Sequence, residues 1–406
     1  MKVLAIPYTH TLSHLSRVLA VSLELRRMGH EVVFAGESSK TSFISDQGFD
    51  VIRCYEPDPD LLFGNIRSGK LRFVDDEEVF RMLEADIDVI RTSLPDIVLS
   101  DGRFTAALST QIAKVRHAAI VNVSSTEYRA LPYVPFFDWI PSRLISRSSR
   151  VWKSLDRLNL SLEMKLFDNV MNIFLKLSRK YKLDRPVTAT NCLTGKDITL
   201  LADIPEYFPT RNLPPDYHYV GPLTWKSEIP PPPWWSPETF STPLVYVTMG
   251  STGVQEFFSN LSQILPSVHF TTIISTGGQP ADLQAAPGKL FLESYIDGDL
   301  VIKHCDLVIC HGGNGTIYQA LSHGKPVIGI PTIPDQKFNM RRVEALGFGK
   351  SIDLENFLKN PSLLSDMIKQ VLANPSFRNN AQSMQNILNR YHAATTSADL
   401  LARSCS

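Results

Sequence analysis

The sequence has no excess charge of either sign: 41 Lys and Arg residues balance 41 Asp and Glu. Nucleic-acid binders usually show a basic face or stripe, so this balance argues against such a partner. No stretch approaches the roughly 18 consecutive apolar residues of a membrane-spanning helix. The opening MKVLAIPYTHTLSH also lacks the long apolar region and small-residue cleavage site of a signal peptide, and reads as a first strand. The five cysteines, at 54, 192, 305, 310 and 405, are odd in number and scattered, matching neither a disulfide framework nor zinc-ligand spacing. These absences predict a reduced, cytoplasmic, metal-free protein.

What is present points to two domains. A chain of 406 residues exceeds the size at which a single core stops growing, roughly 250–300 residues. Between Asp203 and Pro243 lie 11 of the 27 prolines, including four in succession at 230 to 233, which predicts an extended connector. On both sides, short β-rich apolar runs alternate with helical patterns: Val3 to Ile6, Leu15 to Arg27, Glu31 to Ala35, and later Leu244 to Thr248, Leu307 to Cys310 and Thr316 to Ser322. Such alternation implies an α/β fold of two doubly wound Rossmann-like domains. The expected boundaries are 1–222, a linker at 223–243, a second domain at 244–375, and a C-terminal helix at 376–406 that packs back on the first domain.

In the first half, Thr11 or Ser13 is placed to cap a helix carrying Leu15, Val18, Leu19 and Leu23 at helical spacing, ended by Gly29. Its first turn holds His14, at the carboxyl end of strand one, where open α/β sheets bind ligands. The segment Leu131 to Lys182 differs in character. It opens with LPYVPFFDW, and Tyr133, Phe136, Phe137 and Trp139 become candidate acceptor contacts. Its amphipathic continuation fits three readings: ordinary helices with solvated basic faces, the lining of an apolar pocket, or weak contact with a membrane surface.

The second half contains CDLVICHGGNGTIYQALSHGKPVIGIP, residues 305 to 331. A strand ending at Cys310 runs into a glycine-rich turn and then a helix expected near Thr316. Backbone N–H groups and the helix dipole at such a turn form an anion cradle, to which His311 and Thr316 add donors. It is neither a Walker loop nor a dinucleotide GxGxxG. Downstream, Asp335 and Gln336 follow another strand, and a carboxylate beside a carboxamide suits a polyhydroxylated ligand.

HGGNGTIYQAL, GKPVIGIP and DQKFN together resemble the donor-binding signature of glycosyltransferase family 1, nucleotide-sugar-dependent enzymes of GT-B fold. SHLSRVLAVSLELRRMGHEVVFAG is similar to the same family's opening, usually Gly-His-Val-x-Pro followed by a helix and Gly-His-x-Val; VGPL at 220 and VTMGS at 247 also match. The resemblance implies two domains facing a cleft and assigns roles to individual residues. His311, Thr316, Ser251 and the backbone of Gly313, Asn314 and Gly315 would hold the diphosphate. Asp335 and Gln336 would hold sugar hydroxyls, while Tyr295 and Ile296 would meet the base. Gln319 stands where the family commonly has a Glu gripping the ribose. Asp297-Gly298-Asp299 superficially resembles a metal motif of the other glycosyltransferase fold but lies beside the expected base pocket, so no metal and no cofactor are implied.

Transfer to a hydroxyl needs a base. The family's catalytic His falls at His14, with His10 as the other candidate, and a helix N-terminus favours a neutral imidazole there. The family's partner carboxylate falls at Asp101, whose other reading is a helix cap. The implied activity is an inverting hexosyltransferase, using UDP-glucose or another UDP- or TDP-sugar and a small lipophilic hydroxyl acceptor, such as a natural product or lipid. The alternatives are a non-catalytic nucleotide-sugar-binding protein, or an epimerase or hydrolase on the same fold.

Overall fold

The computed structural model describes residues 1–137, 139–140, 149–224, 229–250, 255–264, 270–281, 283–286 and 288–405. The chain divides into two compact units, Met1–Trp225 with His392–Ser406, and Lys226–Tyr391.

The first unit is built on a seven-stranded parallel sheet: β1 Lys2–Pro7, β2 Glu31–Ala35, β3 Val51–Ile52, β4 Ile97–Asp101, β5 Arg116–Val121, β6 Ile198–Leu201 and β7 Tyr217–Tyr219. The spatial order is β3-β2-β1-β4-β5-β6-β7. Its strands are apolar runs because helices cover both faces. Leu15, Val18, Leu19 and Leu25 of the opening helix Leu12–Arg27 are fully buried in one core with Val3, Phe34, Leu99 and Ile120. That helix starts three residues before Leu15. Thr11 occupies its N-cap position without a side-chain cap bond.

The second unit has six parallel strands, β8 Leu244–Thr248, β9 Thr271–Ser275, β10 Leu290–Glu293, β11 Leu307–Cys310, β12 Val327–Gly329 and β13 Gly349–Ser351, ordered β10-β9-β8-β11-β12-β13. The described part of the proline-rich connector is fastened to this unit. Trp234 stacks on Phe291 at 4.5 Å between ring centres, and its indole N–H donates to Glu293 at 2.6 Å.

The C-terminal return is shorter than the expected 376–406. Helix Pro375–Leu388 lies in the second unit, and only the stretch from His392 onward, helix Ala393–Cys405, joins the first. Ala398 and Leu401 of that last helix are fully buried in the first unit's core.

Candidate active site

In each sheet, the order reverses between two central strands, β1 and β4 in the first and β8 and β11 in the second. Ligands of open α/β sheets bind beyond the carboxyl ends of strands at such switch points.

At the first switch point, His14 sits in the first turn of the opening helix, and Asp101 is the last residue of β4 rather than the residue after it. Their side chains meet, with His14 Nδ1 2.6 Å from Asp101 Oδ1. The same nitrogen lies 3.1 Å from Arg17 Nη2, which can only donate, but a carboxylate only accepts and its contact is the shorter, which favours the proton on Nδ1 and the lone pair on Nε2. The His14 side chain is 31% exposed and that of Asp101 only 1%. Gly102, with φ +69°, makes room for the ring: a Cβ there would lie 2.8 Å from His14 Cδ2. His10 is placed differently. Its ring faces Tyr8 at 5.4 Å and its carbonyl accepts from Lys40 Nζ.

A cation shares the carboxylate with His14. Arg17, one turn after His14, donates from Nε to Asp101 Oδ2 at 2.7 Å and from Nη2 to Oδ1 at 2.6 Å. Its Nη1 donates to Asn122 Oδ1 at 2.6 Å, and Asn122 donates in turn to the buried Asp203. Bidentate pairs of this kind fix geometry as well as charge. Sequence reasoning missed Arg17, which stands where the resembled motif usually has proline. Its spacing, three residues after His14, was the available signal.

At the second switch point, β11 ends at Cys310, and His311, Gly312 and Gly313 lead into the helix Asn314–Ser322, which starts two residues before Thr316. The N–H groups of Gly315 and Thr316 precede the first intrahelical bond, Ile317 N to Gly313 O. His311 is buried, and burial lowers its pKa to about 4, so the ring is neutral near pH 7. Its buried Nδ1 has no hydrogen-bond partner among the described residues. Its Nε2 lies beside Gly313, where a Cβ would stand 2.4 Å away. A Cβ on Gly250, after β8, would stand 2.7 Å from the same ring. Ser251 lies outside the described residues.

Asp335 and Gln336 begin the helix Pro334–Ala345. Asn339 Nδ2 donates both to Asp335 Oδ2, at 3.2 Å, and to the Gly312 carbonyl, at 3.0 Å, so the carboxylate is tied to the glycine turn. Gln336 is 2% exposed. Its Oε1 already accepts from Thr332 N, Thr332 Oγ1 and Ile333 N at the start of its helix, so that oxygen is engaged in capping rather than turned to a sugar.

Tyr295 presents a ring that is 53% exposed, held by its hydroxyl to the Gly277 carbonyl at 3.0 Å, and Ile296 beside it is buried. A Cβ on Gly298 would stand 3.2 Å from Gln319 Oε1, which puts Gln319 at the start of helix Gly298–His304. Asp297 caps that helix through Asp299 N, and Asp299 faces His323 Nε2 at 3.2 Å. Among the described residues, no group of three or more His, Cys, Asp or Glu is arranged to hold a metal.

Of the candidate acceptor contacts, Phe136 is 39% and Trp139 77% exposed, and Tyr133 and Phe137 are half-buried. They lie on a loop fastened to helix Arg150–Val170 through the Tyr133 and Val134 N–H groups.

The chain is similar along most of its length to known proteins. A PGL/p-HBAD biosynthesis glycosyltransferase of Mycobacterium tuberculosis is 28% identical over 388 residues, 94% of this chain and 87% of that protein. A PGL/p-HBAD biosynthesis rhamnosyltransferase of Mycobacterium bovis is 29% identical over 390 residues, 96% and 84% respectively. Spinosyn rhamnosyltransferase SpnG, solved with thymidine diphosphate, superposes with a TM-score of 0.71 over 98% of this chain and all of that one, at 17% identity. The chain has the GT-B fold, as its motifs indicated, and is similar over most of its length to glycosyltransferases. Its residues 266–395 match the erythromycin biosynthesis protein CIII-like C-terminal domain.

Proposed function

We propose that the protein is an inverting, metal-independent glycosyltransferase. In this reading, His14 Nε2 takes the proton of an acceptor hydroxyl as its oxygen bonds to the anomeric carbon of a nucleoside-diphosphate sugar. Asp101 steadies the imidazolium, and the nucleoside diphosphate leaves onto the turn His311 to Thr316. A single displacement inverts the anomeric centre. The observation that supports catalysis over mere nucleotide-sugar binding is the His14–Asp101 contact, with its tautomer set and Nε2 unencumbered. A binding protein has no use for it.

The donor is a hexose or deoxyhexose on UDP or TDP. The rhamnosyltransferase relative, and the thymidine diphosphate bound to SpnG, support the TDP-linked deoxyhexose within that set. The acceptor is a small lipophilic molecule bearing a hydroxyl. Nucleoside diphosphate release should be measured from several uridine and thymidine diphosphosugars, with and without phenols and lipophilic alcohols. We expect acceptor-dependent release that drops by about 10²–10⁴ in His14→Ala while donor affinity, read by calorimetry, stays unchanged. Equal release by His14→Ala and wild type would remove the base; release without any acceptor would mark a hydrolase.

A further inference from the structure

Helix Arg150–Val170 is turned with polar side chains inward. Its buried residues include Asn159 and Glu163 beside Trp152 and Leu160. Glu163 accepts from Arg129 Nε at 3.3 Å and Nη2 at 2.6 Å, and from the N–H groups of Tyr133 and Val134 at 2.9 Å each. Asn159 donates to the Val134 carbonyl at 2.9 Å. These bonds lock the helix's rotation. They also leave Val151, Leu158, Leu162 and Leu166 outside, at 57%, 50%, 47% and 45% exposure. At 100° per residue, those four fall within an arc of about 80°, a continuous apolar stripe. The loop fastened to the polar side adds exposed Val134, Phe136 and Trp139.

The fully exposed charges on the helix have one sign. Arg150, Lys153, Arg157 and Lys165 are exposed, whereas Glu163 is buried and Asp156 and Asp168 are half-buried. An apolar stripe whose fully exposed neighbouring charges are basic would repel a second copy of itself and complements an anionic lipid surface. No helix among the described residues is long and apolar enough to cross a membrane, so this one would lie flat, with leucines in the acyl boundary and cations among headgroups. We propose that helix Arg150–Val170 is the face by which this protein docks on an anionic bilayer. The proposal stands whether or not the catalytic reading does.

The test is flotation of the full chain with phosphatidylglycerol-containing vesicles and with pure phosphatidylcholine vesicles, alongside light scattering of the free protein. A monomer that floats only with anionic vesicles, and less so at high salt, is expected. Leu158→Ser with Leu162→Ser should weaken flotation about tenfold or more, because two buried leucines are lost from the interface. Arg157→Gln with Lys165→Gln should weaken it by a similar factor and flatten its salt dependence. The second pair carries the test should the first melt abnormally. Three results would overturn the proposal: no flotation with anionic lipid, leucine and charge variants that both float like wild type, or a wild-type dimer that the leucine substitutions dissociate.

Discussion

The two switch points occupy the same place in two similar topologies and solve opposite problems. At the first, every charge is satisfied before any ligand arrives: Asp101 is bonded by His14 and doubly by Arg17, and Arg17 by Asn122. At the second, the turn itself carries no charged side chain. A neutral His311 stands between two glycines, beside backbone N–H groups that precede the first intrahelical bond. A group that moves a proton must be aimed beforehand, and a charged scaffold does that. An anion site gains from donors without partners, because whatever binds there meets no competing acceptor. In the proposed reading, this is how a chain without net charge holds a diphosphate.

The contrast can be broken most sharply at Asp101. Asp101→Asn leaves Arg17 buried without its counter-charge and lets the amide donate to His14, reversing the tautomer. Turnover should fall by about 10²–10⁴ and stability by about 3–5 kcal/mol, with donor affinity unchanged. Kinetics, calorimetry and urea melts read the three separately, and a loss of donor affinity would mean the sites are not independent. Gly313→Ala does the converse. Its Cβ would collide with His311, so donor affinity should drop by about tenfold or more, at a stability cost of about 1–3 kcal/mol, without disturbing the His14–Asp101 pair.

The uncharged character of His311 has its own signature in acid. Its pKa is about 4 when folded, against about 6.5 when unfolded, so above pH 6.5 the ring is neutral in both states and its contribution is complete. As pH falls from 6.5 towards 4, the unfolded chain takes up a proton that the folded one refuses, and stability declines. His117 in the first unit, pushed down to about 3 by burial and next by Lys196, acts in the same direction. His311→Gln should therefore make the fall in urea midpoint between pH 7 and 5 shallower but not flat. An unchanged slope would show that His311 is not the buried neutral ring described. The smallest effect is expected at Tyr295. Tyr295→Phe loses one bond to the Gly277 carbonyl, about 1 kcal/mol, and keeps its exposed ring; donor affinity that fell as far as in Tyr295→Ala would make the hydroxyl, not the ring face, the contact.

The strands were legible because parallel sheets covered on both faces are written as short apolar runs. The His14–Asp101 pair was legible through the family resemblance, which assigned both residues, and the structure brings their side chains together. Arg17 was hidden because a cation on a helix ordinarily reads as solvated. Nothing local says that its fork will meet a carboxylate 84 residues away. Gln336 beside Asp335 invited a reading as a paired sugar clamp, although a glutamine three residues into a helix is also a capping signal, and that is where its oxygen is spent. The helix Arg150–Val170 was least legible. Its period announces two faces but not which turns inward, and that depends on Arg129, far enough away in sequence to be invisible to any local pattern.

The last helix, Ala393–Cys405, carries a consequence for biosynthesis. The second unit is a continuous stretch of chain, Lys226–Tyr391, and is complete as soon as it leaves the ribosome. The first unit, although it begins at Met1, waits for Ala398 and Leu401 to close its core, so its assembly finishes after its neighbour has been made. Synthesis order and order of completion are thereby reversed, and the half that carries His14 matures last.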